Sequence, residues 1–272
     1  MKRLFVVIMA LALTSMSWAA TAKEDAIDRL GKAGDVLKEI MGTPDKGIPQ
    51  EVLDKAKCIA IVPHMVKGGF IFGAEGGKGV ATCRLSSGGW SAPSFFTVTG
   101  GSWGLQIGVE GIDLVMVVMN EAGMKALLSN KVTLGGDASA AAGPVGRHVS
   151  AQTDIKADTG ILTYSRSKGL FAGLTLKGAV MRQDDDSTKA VYGLSGEEAY
   201  KRILTGQVPP PPAARPFLAT VRSAVSGSLA ERQEIKKEAA KDNASAVDEK
   251  DRAKGMPQSD RPAPATSEEP KK

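Results

Sequence analysis

Aromatic side chains are scarce: the 272 residues hold three Trp, three Tyr and seven Phe. An outer-membrane barrel needs eight or more alternating strands and aromatic girdles at both interfaces, so the composition argues against one. Long apolar runs are missing too. Leu4 to Leu13 and Ile112 to Met119 both fall well short of the ~20 residues a helical span needs. Cysteine and histidine number two each, and Cys58, Cys83, His64 and His148 match no zinc-ligand spacing, so no metal and no cofactor is expected.

Catalytic signatures are equally thin. "GAEGGKG" (73–79) suggests a phosphate loop, but Phe72 stands where the first Walker glycine belongs and Gly79 where Ser or Thr belongs. That stretch is expected to be a hairpin turn. Asp184-Asp185-Asp186 lacks the calcium-loop spacing and reads as a solvated turn. No Gly-x-Ser-x-Gly elbow appears, and no acid–base pair stands out. His64, after Pro63, reads as a surface histidine at a strand end. An enzyme is not expected. The formal charge of +5 is too mild to demand a nucleic-acid partner.

What is present begins with a leader. Lys2 and Arg3 precede the apolar run, and Ser17-Trp18-Ala19 offers small residues at the positions a signal peptidase reads. Residues 1–22 are therefore expected to be a signal peptide, cleaved after Ala19 or Ala22. No cysteine lies near that point, so no lipid anchor is expected. Without Lys2 and Arg3, 33 basic residues face 30 acidic ones, a net charge of +3. The expected location is periplasmic, with an extracellular one as the alternative and peripheral membrane association open.

Residues 23–206 read as one α+β domain, mainly antiparallel and glycine-rich, barrel-like or sandwich-like, with flanking helices. Ile27, Leu30, Gly34, Leu37 and Met41 recur at helical steps. A short helix after Pro49 is followed by strands from Cys58. Ile112 to Met119 fits a strand buried on both faces, and Asn120 a cap for the helix behind it. "KGLFAGLTLKGAVM" reads as one further strand, and Ser195-Gly196-Glu197-Glu198 as a capping box. Residues 207–230 read as a proline-rich linker with a short helix, and 231–272 as a disordered charged tail.

Two features carry chemistry. In an oxidising compartment Cys58 and Cys83 are candidates for a disulfide, two free buried thiols being the alternative. Lys67, Lys78, Arg147, Arg166, Lys168 and Arg182 all sit beside glycines or at strand ends. Cations on short fixed loops beside backbone N–H groups suit phosphate groups.

"CIAIVPHMVKGGFIFGAEGGKGVATCR", "GWSAPSFFTVTGGSWGLQIGVEGIDLVMVVMN", "LGGDASAAAGPVGR" and "ILTYSRSKGLFAGLTLKGAVMRQDD" together resemble the SYLF domain family, over about Asp25 to Thr205. The likeness is to its exported bacterial branch. It implies non-catalytic binding of anionic phospholipid headgroups, with the helix from Lys23 to Met41 in the place of the family's membrane-contacting helix. Actin binding, a trait of the yeast members, is the least transferable in an exported protein. That helix carries Glu24, Asp25, Asp28, Asp35 and Glu39 as well as cations, so packing on the sheet is its expected fate and headgroup contact is expected on the Arg147 and Arg166–Lys168 loops. The competing expectation is a structural envelope protein that uses the sheet as a platform and the C-terminal tail to recruit a partner.

Overall fold

The protein is seen in a computed structural model that describes residues 2–42, 47–69, 72–103, 108–144, 159–167, 170–173, 176 and 178–226. Two helices open the chain, α1 (Lys2–Met41) and α2 (Gln50–Lys55). Four long strands follow: β1 (Cys58–Gly69), β2 (Phe72–Cys83), β3 (Ser94–Trp103) and β4 (Gly108–Val118). Then come α3 (Glu121–Leu127), β5 (Lys131–Thr133), β6 (Ala140–Ala142), β7 (Ile161–Ser167), β8 (Leu170–Gly173) and β9 (Val180–Gln183). The helices α4 (Asp185–Tyr192), α5 (Glu197–Leu204) and α6 (215–226) complete the described chain, with a 3-10 turn at Pro212–Ala214 before the last.

The strands form a single curled half-barrel in the order β5-β9-β3-β2-β1-β4-β7-β6, with β8 paired to β7. All pairings are antiparallel except β6 with β7. The expected α+β class with flanking helices is what the chain adopts.

The sheet has two buried faces. Ile59, Ile61, Val80, Phe95, Val115, Val117, Leu162 and Tyr164 point to one and pack under α1, α2 and α6. Ala60, Val62, Met65, Phe96, Val98, Ile112, Leu114, Met116 and Val118 point to the other, where Leu127 of α3 and Tyr200 and Leu204 of α5 join them. These are called the α1 face and the α5 face. β4 therefore contributes to both cores, as its apolar run requires.

α1 lies on the sheet through Ala26, Leu30, Ala33, Leu37 and Ile40, all at most 1% exposed and spaced by three and four residues. Gly34 faces Thr220 and Phe217 of α6, where the absence of a side chain lets the helices approach. Phe217, Leu218, Val221 and Val225 of α6 belong to the same core. The boundary expected at 206 thus falls inside this compact unit, which runs from Met1 to Ser226; the second unit, Gly227–Lys272, lies outside the described residues. Among the described residues no helix is long and apolar enough to cross a membrane.

Several local expectations change. Residues 73–79 are not a turn but the middle of β2. Their glycines are there for close contact: a Cβ on Gly77 would stand 2.5 Å from Val62 Cγ1, and one on Gly79 2.4 Å from the Phe96 ring. His64 is not at a strand end but inside β1, at a bulge between Val62 and Met65. Its φ is 56°, and its N–H donates to Asp113 Oδ1 at 2.9 Å. Pro63 has no N–H to give the ladder, so the strand breaks its register there. "KGLFAGLTLKGAVM" is divided between β8 and β9, which join different parts of the sheet. Asn120 caps α3 as expected, accepting from Gly123 N at 2.8 Å. Ser195 caps nothing: Gly196 holds the N-cap of α5 at φ 83°, its N–H donating to Asp185 Oδ1.

Candidate anion-binding surface

The end of the sheet nearest the helices is locked by polar contacts as well as packing. Cys58 and Cys83 stand opposite one another on β1 and β2 and form a disulfide. Arg84 lies over the Trp90 ring and donates to Ala56 O, closing the C-terminus of α2. Arg29 of α1 is buried, donating to Asp184 Oδ2 at 2.9 Å and Ser187 Oγ at 3.2 Å, with its guanidinium against the Phe95 ring. Asp184 is no solvated turn residue: it is the N-cap of α4, accepting from Ser187 N and Ser187 Oγ. Burial pushes its carboxyl pKa up, but the Ser187 hydrogen bonds and the Arg29 guanidinium outweigh this and hold it below the ordinary aspartate value.

Beyond this end the candidate cations separate. Arg147 and Lys168 lie outside the described residues. Arg166, on β7, is held by Asp113 of the facing strand, with Nη2 and Nε at 2.7 Å and 3.0 Å from Oδ2, and it also contacts Glu39 at the end of α1. Its side chain is 24% exposed. Lys67 points to the α5 face and stands 3.9 Å from Glu75 Oε2.

Lys78 and Arg182 behave differently. Both are exposed, and both point to the α1 face. Lys78 on β2 lies opposite Thr97 on β3, Thr97 lies opposite Arg182 on β9, and Arg182 lies opposite Lys131 on β5. Residues directly opposite in an antiparallel ladder share a face, so Lys131, Arg182, Thr97 and Lys78 form one row across four strands. At a strand spacing of about 4.8 Å the row is roughly 14 Å long. Arg166 and Asp113 end the same row on the far side of the β1 bulge.

The row has no carboxylate bound to any of its three cations among the described residues. Glu75 and Glu110, on the same long strands, point to the opposite face, where Glu110 accepts from Ser167 Oγ. Asp137 sits at the β5 end, its carboxylate anchored by the Thr133 N–H at 2.8 Å. The backbone and side-chain hydrogen bonds of Thr133, with help from the nearby charge of Lys131, keep Asp137 ionised below its ordinary value.

Lys131 is the member sequence reasoning did not select. "SNKVTL" shows no glycine-flanked loop, and only pairing with β9 puts Lys131 beside Arg182. Arg29 looks in the sequence like one more cation of the helix from Lys23 to Met41. Its partner is 155 positions away, and no local signal announces it. The surface can bind anions by charge and hydrogen bonding; among its described residues no nucleophile has a base beside it. Among the described residues no cluster of three or more His, Cys, Asp or Glu could hold a metal ion.

Comparison with known proteins gives the lineage. The family model described as "Ysc84: Las17-binding protein actin regulator" matches residues 99–224. The SH3 domain-containing YSC84-like protein 1 of Rattus norvegicus is 33% identical over 238 residues, covering 85% of this chain and 69% of that protein. The protein of the same name from Xenopus laevis is 34% identical over 213 residues, covering 76% and 62%. Protein YSC84 of Saccharomyces cerevisiae is 39% identical over 203 residues, covering 71% and 42%. The chain thus spans less than two thirds of the frog and yeast proteins. On the strength of these alignments the chain belongs to the Ysc84, or SYLF, family.

Proposed function

We propose that this domain binds anionic phospholipid headgroups reversibly and without chemistry, at the cell envelope. The observation that carries the reading is the row Lys131–Arg182–Thr97–Lys78, in which three exposed cations share a face and none is bound directly by a carboxylate among the described residues, Asp137 standing near Lys131. Each Lys or Arg held near an anionic membrane contributes about 1 kcal/mol. Three such charges give binding that is useful yet readily reversed. The binding-protein description of the family model supports a non-enzymatic role, and the basic start followed by Leu4 to Leu13 supports export.

Co-sedimentation of the purified protein with phosphatidylcholine vesicles, with and without phosphatidylglycerol, tests the reading. Recovery is expected only with the anionic vesicles and is expected to fall as salt shortens the screening length. Equal recovery with both, insensitive to salt, rejects it. Sequencing the N-terminus of the protein from fractionated cells tests export: a start at Met1 in the soluble cell fraction overturns it.

A second reading has its own observation. Las17 binding and actin regulation are named for the family, and the described chain exposes Pro209 and Pro210 between α5 and the packed α6, ahead of extended Pro211 and the 3-10 turn that Pro212 opens. A protein partner that reads extended proline would find this stretch accessible. Its substitution by Gly and Ser abolishes pull-down of that partner on this reading and leaves vesicle binding intact on the first.

A further inference from the structure

The cationic row borders a part of the sheet that no helix covers among the described residues, with only the His64 ring lying over its Gly111 edge. Next to it on the α1 face, moving away from the helices, the register aligns Thr133, Val180, Thr99, Gly76, Val66 and Gly111. One row further on come Gly101, Ala74, Gly68 and Val109. None of these residues is buried, and Val109 and Val66 are 81% and 44% exposed. On the opposite face of the same strands Met65, Val98 and Ile112 are buried. The stretch is therefore one-sided: packed beneath, open above, uncharged in its two outer rows and cationic along the inner one.

We infer that this open part of the α1 face is the surface that lies against an anionic bilayer, with Val66 and Val109 entering the interface and Lys78, Arg182 and Lys131 meeting the headgroups. The inference rests on the lipid reading above and adds the orientation. A soluble anion would need only the cations. An apolar, low-relief surface continuous with a row of cations is the arrangement that suits the boundary between headgroups and acyl chains. Charge complementarity points the same way, since Glu75 and Glu110 are turned to the other face. The anions that border the surface are Asp137 beside Lys131, Asp185 and Asp186 at the start of α4, and Asp113 with Glu39, both bound to Arg166.

The same geometry keeps the Ala26 to Ile40 part of α1 out of the interface. Its apolar stripe is already in the core, and lifting it would expose the buried Arg29–Asp184 pair. Its outward charges neutralise one another along the helix, Lys32 with Asp28 at 2.7 Å and Lys38 with Asp35 at 3.4 Å.

The test compares variants of the purified protein on phosphatidylcholine vesicles with and without phosphatidylglycerol, folding being checked by circular dichroism. Lys78→Gln with Arg182→Gln is expected to weaken partition to the anionic vesicles about 25-fold, and Val109→Asp to weaken it further than loss of one methyl-bearing contact would. Lys32→Gln with Lys38→Gln on α1 is expected to change it by less than about twofold. Val109→Trp is expected to add a blue-shifted emission on anionic vesicles only. If the parent binds anionic vesicles while the Lys78/Arg182 pair and both Val109 variants behave like it, the orientation is wrong and the lipid reading survives. If inorganic phosphate displaces the protein from the vesicles and Val109→Trp stays silent, the surface holds a free anion and the inference fails. If the parent binds neither vesicle, both readings fall together.

Discussion

From Cys58 to Val62, β1 is fully buried on both faces, whereas a few residues later Val66 stands 44% exposed on the same strand. The near end of the sheet carries α1, α2 and α6, the Cys58–Cys83 disulfide and the Arg29–Asp184–Ser187 contact. The far end carries glycine, alanine, valine and threonine on its open face and is packed only from beneath. The bulge at Pro63–His64 marks the transition. One region has its side chains fixed by one another. The other leaves backbone and small side chains available to something outside the chain. A scaffold of the first kind lets a surface of the second kind keep its shape without a partner.

The contrast is testable by substitution at each end. Asp184→Ala leaves Arg29 buried and unpaired, and is expected to cost about 3–5 kcal/mol, or roughly 10 °C in Tm by calorimetry. The apolar pair Arg29→Met with Asp184→Leu is expected to recover most of that loss, because a packed hydrophobic pair removes the orphaned charge. The same carboxylate sets an acid limit. Its pKa is lowered in the folded protein, so its contribution is complete above the unfolded value of about 3.9 and disappears as pH falls through the lower folded value. Urea denaturation of Asp184→Asn is expected to show a flatter dependence on pH below about 4 than the parent.

Opening the disulfide is the next largest effect. Cys58→Ser with Cys83→Ser removes the closure of a 25-residue separation and is expected to lower stability by about 3 kcal/mol. A pair of glycines then separates the two regions directly. On Gly79 a Cβ would collide with the Phe96 ring and stand 2.6 Å from Ile61 O, so Gly79→Ala is expected to cost about 1–3 kcal/mol. On Gly76, toward the open face, the nearest atom would be Val98 O at 3.7 Å, so Gly76→Ala is expected to stay within about 0.5 kcal/mol of the parent. Equal losses at the two positions would erase the distinction between the two ends of the sheet. The smallest effect on stability is expected from Lys78→Gln and Arg182→Gln, within about 0.5 kcal/mol in the same denaturation assay, while vesicle binding falls.

Much of the near end was legible in the sequence. The stripe on α1, the doubly buried run of β4 and the Asn120 cap are set by neighbours three or four positions away, and the structure shows each of them. The capping box at Ser195 was not realised because Asp185, eleven positions earlier, engages the Gly196 N–H instead. "GAEGGKG" is ambiguous in sequence because glycine serves turns and close strand contacts alike, and only the ring of Phe96 and the side chain of Val62 show which is needed. Of the cations chosen for their glycine neighbours, Lys78 and Arg182 prove to share one row, Lys67 points to the other face, and Arg166 is held by carboxylates from β4 and α1.

By itself the sequence determined the class of fold and the family. Helical and strand periodicities are local, and apolar content fixes how much of each element is buried. Which charges share a face was decided by the tertiary structure alone. Side chains alternate along a strand, so a register shift of one residue sends a charge to the opposite side, and the bulge at Pro63–His64 makes such a shift in β1. Long-range pairing placed Lys131 beside Arg182 and buried Arg29 against Asp184, because the free energy of each contact depends on a partner the local chain does not contain.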